Sequence, residues 1–132
     1  MEFLKPAESY AKTELDSLIS RLKNDDRDAT YECVRFVVAE SFGYWHGRAR
    51  AKICRNLKNR PPDAASRAGL VKTIIVRLET GNFSQQFKDQ LAMAIRFAPD
   101  DMLEAARRLM ESEKEYIRRY AFWICNAIDC RR

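Results

Sequence analysis

Apolar residues in this chain recur at the three- and four-residue spacing of an α-helix in one run after another, and only short polar or Gly/Pro-containing breaks separate the runs. From residue 6 to about 23, Tyr10, Leu15, Leu18, Ile19 and Leu22 form one stripe, with Pro6 suited to a first turn. "NDDRD" breaks it. Asp28 is placed to cap a second helix to about residue 40, with Cys33, Val34, Val37 and Val38 as its apolar side. A third helix is expected over residues 45–59, stopped by Pro61 and Pro62.

Residues 64–80 carry Leu70, Val71, Ile74, Ile75 and Leu78. Their "TIIV" would also suit a strand across residues 70–78, and the helical neighbours tip the reading to helix. Phe87, Leu91, Ala94 and Ile95 mark a fifth helix ending at Ala98-Pro99. Asp100 or Asp101 is placed to cap a sixth, through Met102, Leu103, Ala106, Leu109 and Met110. Tyr116, Ile117, Tyr120, Ala121, Ile124, Cys125 and Ile128 define the last. About seven helices with short joints make an all-α single domain over residues 1–132, built of antiparallel pairs.

The last run, "YIRRYAFWICNAI", resembles the second helix of a HEAT-type repeat, with Ile117, Arg118, Ala121 and Ile124-Cys125 in the places of that pattern. Weaker echoes are "FKDQLAMAI", through Phe87, Lys88, Leu91 and Ala94-Ile95, and "GRARAKIC", through Gly47, Arg48, Ala51 and Cys54. The resemblance implies a HEAT-like α-solenoid. Residues 29–41, 66–80 and 100–112 would be the first helices of three pairs, and 6–23 a cap. The alternative is a compact helical bundle.

Charge is unevenly spread. The chain has 24 Lys and Arg against 19 Asp and Glu, and residues 43–62 hold six of the bases and no acid, so the rest is nearly balanced. On a wheel of about 100° per residue, Trp45, Ala49, Ile53 and Leu57 fall on one arc, and Arg48, Lys52, Arg55 and Lys58 on another. The second arc, with Tyr44 and His46 at its start, is the candidate surface for an acidic partner or for phosphates. Solenoids act by offering surface to a partner, so the expected function is a non-enzymatic adaptor or inhibitor binding an acidic protein surface. The alternative is nucleic-acid binding through the same residues. With only three pairs, a homo-oligomer is also open.

No Gly-rich phosphate loop, nucleophile elbow or metalloprotease motif occurs. The pairs Asp25-Asp26 and Asp100-Asp101 sit where helix starts favour negative charge. One His and four Cys without a Cys-x-x-Cys spacing predict free thiols, no metal and no cofactor. Cys130, beside Asp129, would be reactive only in an electropositive setting. DNA glycosylases of HEAT-like fold use Trp, Asp and Arg, and Trp123, Arg118 and Arg119 are similar in style, but the chain is about half the length such a groove needs. No catalytic residue is expected. With no membrane-spanning run and no signal peptide, the expected location is cytoplasmic.

Overall fold

The computed structural model describes residues 6–83 and 86–129. After a 3₁₀ turn at Ala7–Ser9 come α1 (Lys12–Lys23), α2 (Arg27–Val38), α3 (Tyr44–Asn59), α4 (Ala64–Thr80), α5 (Phe87–Phe97), α6 (Pro99–Leu109) and α7 (Glu115–Asp129). There is no strand among the described residues, and residues 70–78 are helical. No described helix is long and apolar enough to cross a membrane.

Local chemistry sets the helix ends, in three places differently from the sequence expectation. Residues 6–10 are not part of the first α-helix. Tyr10 is extended and buried, its ring 5.6 Å edge-on to Phe36 and its hydroxyl bonded to Glu32, so α1 starts only at Lys12. Asp26, not Asp28, caps α2: its carboxylate accepts the Ala29 N–H at 3.0 Å, and Asp28 lies in the first turn. That bond and the one from Arg21 hold the Asp26 carboxyl below the usual range, the Arg21 contact being the larger cause. Asp100 and Asp101 do not cap α6. Pro99 takes the first helical position, where its missing N–H costs nothing, and the aspartates follow in the first turn, favourable to the helix dipole. Asp63 caps α4 through the Ser66 N–H at 2.7 Å.

The helices lie in two rows. α1, α3, α5 and α7 each pack on the next of their set, α2, α4 and α6 do the same, and consecutive helices other than α3 and α4 join the rows. Between the rows runs a continuous core that includes Phe36, Ile53, Leu70, Ile74, Leu91 and Met102. Each row exposes an outer side, so the long faces of the molecule are helix surfaces rather than loops.

Gly81 ends α4 at φ 73°, the left-handed region that favours glycine. A Cβ there would lie 2.6 Å from Tyr116 Cε2. Gly81→Ala is expected to cost about 1–2 kcal/mol, read as a lowered urea midpoint, because strain and crowding add. In a Tyr116→Ala background the same substitution should cost only the backbone share.

Candidate functional site

α3 sits in the middle of its row, between α1 and α5, and this position decides which of its side chains reach solvent. His46, Gly47, Ala49, Arg50, Ala51, Ile53, Cys54 and Leu57 are buried. On a wheel of 100° per residue they cover an arc of roughly 200°, wider than one apolar stripe and rotated away from Trp45. Ala49, Ile53 and Leu57 are buried as expected. Trp45 is not: it is 47% exposed, because it falls at the edge of the rotated arc. Its ring carries Lys12 Nζ 4.8 Å from the centroid and meets the Tyr44 ring edge-on at 5.0 Å.

Of the expected contact residues, Tyr44, Arg48, Lys52 and Arg55 lie along one side of α3. Arg48 donates to the Tyr44 hydroxyl at 2.9 Å, with its guanidinium 5.5 Å from that ring. Arg55 pairs with Asp89 of α5 at 2.8 Å. Among the described residues Arg48, Lys52 and Lys58 enter no ion pair. His46 is not on this surface. It is buried, its Nε2 donates to the Tyr10 carbonyl at 2.8 Å and its ring is 5.3 Å from Phe36, so it ties the Tyr10 segment to α3.

Between α1 and α3 runs a trough. Two clefts, of about 250 and 340 Å³, share Asp16, Ile19 and Lys52 and so form one channel. Leu15, Ile19 and Ala49 supply apolar floor, and Lys12, Lys23, Arg48, Lys52 and Arg55 supply basic rim. The one acid lining it, Asp16, is paired with Lys12 at 3.3 Å. At the Trp45 end, Phe42 stands 79% exposed and Tyr44 is also exposed. Chemically this is a strip of low-polarity surface flanked by cations and ended by aromatic rings, suited to a ligand that carries both apolar groups and negative charge.

The helix wheel missed two buried arginines. Arg50 is 2% exposed; it donates to Ser41 Oγ at 2.5 Å, its Nε is buried without a partner, and Phe36 lies 5.1 Å from the guanidinium. Burial, then the charge of Arg77, brings it down to about 10. Arg77 donates to Gln90 Oε1 at 3.0 Å, to the Ala39 carbonyl at 3.2 Å and to Glu40 at 3.4 Å, and burial lowers it too. A usable signal was the spacing of Arg50, one turn from each of His46 and Cys54, in the middle of the buried arc.

Cys33 and Cys54 are fully buried thiols, and Cys125 is half-buried. Cys130 lies outside the described residues. No group of three His, Cys, Asp or Glu side chains able to hold a metal ion occurs among the described residues. Arg118 donates to the Ser112 carbonyl at 2.5 Å, Arg119 pairs with Glu115, and Lys88 stands over the Trp123 ring. These three residues therefore serve the α6–α7 turn and the surface of α7. No known protein family, curated protein or solved structure matches the chain.

Proposed function

We propose that the chain is a small, non-enzymatic, cytoplasmic interaction protein of HEAT-like α-solenoid architecture, which holds an acidic segment of a partner protein in the trough between α1 and α3. The trough carries the proposal: an apolar floor, a basic rim and exposed aromatic rings at one end. Trp, Tyr and Arg dominate the energetics of protein interfaces, and here all three types meet at the Trp45 end. The repeat reading is supported by the pairs α2–α3, α4–α5 and α6–α7, which alternate between the two rows with α1 flanking. It is supported also by the burial of Ile117, Ala121 and Ile124.

A protein segment fits better than a nucleic-acid backbone. Phosphate binding gains by neutralising a line of cations and releasing counterions, but Arg55 already has its acid in Asp89, which breaks the line. An acidic peptide can also use the floor, which a phosphate chain cannot.

The test is charge reversal of Arg48 and Lys52, two side chains at the surface. Arg48→Glu with Lys52→Glu is expected to weaken partner capture from the native host by roughly 100-fold, with unchanged helicity. If no captured protein depends on these residues, the reading fails. If binding to unrelated duplexes appears instead, falls steeply with salt and is lost in the variant, the nucleic-acid alternative replaces it.

A further inference from the structure

α4 has a second side that the fold leaves uncovered. Leu70, Ile74 and Leu78 enter the core, yet the helix is apolar on its other side too, where Ala68 and Val76 face solvent and Val76 is 48% exposed. Apolar surface is thus left on the outer side of α4 with no described helix over it, bordered by Arg67, Lys72 and Glu79. With Phe97 and Ala98 from the α5–α6 junction, this side forms a groove of about 550 Å³.

The charges around the groove favour one occupant. Arg67 and Lys72 are matched by Glu79 and Asp101, so this face is neutral in a chain of net charge +5. A second copy approaching here meets no repulsion, whereas two basic troughs repel each other. Lys72 and Glu79 also lie equally far on either side of the Ile75–Val76 bond. A two-fold axis through that point runs two α4 helices antiparallel, sets Val76 beside Val76, and brings each Lys72 opposite Glu79 of the second copy, beside the Arg108 that Glu79 already holds at 2.7 Å. We infer that the α4–α6 groove is a homodimer interface, with a second copy of this chain as its occupant. It lies on the row opposite α3, so dimerisation leaves both troughs open and makes the dimer bivalent.

Sedimentation velocity of the full chain between about 2 and 200 µM tests this, since a modest interface predicts a concentration-dependent dimer in that range. Val76→Glu is expected to be monomeric throughout with unchanged helicity. Should that variant lose helicity, Ala68→Glu, at another exposed position in the groove, takes its place and is expected to be monomeric in the same way. Lys72→Glu, which sets like charges face to face, is expected to weaken the dimer at least about tenfold. A wild-type chain that stays monomeric at the highest concentration overturns the inference. So does a dimer that survives the glutamate substitutions, or a dissociation constant unchanged by Lys72→Glu.

Discussion

Raising the pH from about 8 to about 11 is expected to unfold the protein, and the two buried thiols are the main cause. Cys33 and Cys54 have no exposed surface, and burial pushes each from the ordinary 9.0 up to about 12. In the unfolded chain they ionise near their ordinary value, while the fold keeps them protonated. Their contribution is therefore whole below pH 9 and is lost progressively as the pH climbs toward 12. At pH 11, about two pH units above their ordinary value, this comes to roughly 3 kcal/mol for each thiol, and two of them take a large share of the stability of a small domain. The buried Tyr10 hydroxyl is raised as well and acts in the same direction at higher pH. Arg50 acts in the opposite one: burial brings it down to about 10, so its buried charge weighs on the fold below that value, and losing the proton as the pH rises past it offsets part of the loss. Helicity followed against pH checks this. Cys33→Ala with Cys54→Ala should lose about 1–2 kcal/mol at neutral pH yet move the alkaline midpoint up by at least about one unit. A midpoint that stays in place would show that the thiols do not drive the transition.

The second large effect separates the two buried arginines. Arg77→Leu is expected to cost about 2–4 kcal/mol, because it removes the donor to Gln90 Oε1, which is buried, and to the part-buried Ala39 carbonyl at the end of α2. Glu40 is about half exposed and can return to solvent, so the loss comes from the neutral partners. Arg50→Met is expected to be neutral or to stabilise by about 1–2 kcal/mol. It exchanges an incompletely bonded buried cation, with no carboxylate at hydrogen-bond distance, for an apolar chain of similar length. Urea midpoints read both. Equal destabilisation by the two substitutions would contradict the distinction.

The arginines also show what the sequence conceals. All seven helices were legible because each has an apolar stripe of large residues, which a single helix displays without reference to its neighbours. The ends moved where a distant group intervened: Tyr10 left the first helix to reach Phe36, and Pro99 displaced the aspartates from the cap. On α3 the large residues Ile53 and Leu57 disclosed only half of the buried arc. The other half is built from Gly47, Ala51 and Cys54, small side chains that register weakly on a helix wheel. That omission placed Trp45 inside and left Arg50 unassigned. The basic side survived because Arg48, Lys52 and Arg55 lie opposite the middle of the true arc, but the trough beside them could not be read from α3, since α1 supplies its other wall.

The two-row packing is not uniform along its length. α6 and α7 pack extensively on each other and sparingly on α4 and α5. Besides the core residues Met102, Ala106, Ala121 and Ile124, they are held by the rings of Phe83, Phe87, Tyr116 and Tyr120, within 6 Å of one another in four pairs, and by the Arg108–Glu79 ion pair. The C-terminal hairpin is thus held by an aromatic clasp beside its share of the core, and the seam of sparser packing runs beside Ala98 and Pro99. Opening along that seam would leave α1 to α3 undisturbed, so the trough can keep its grip while the far end of the chain breathes.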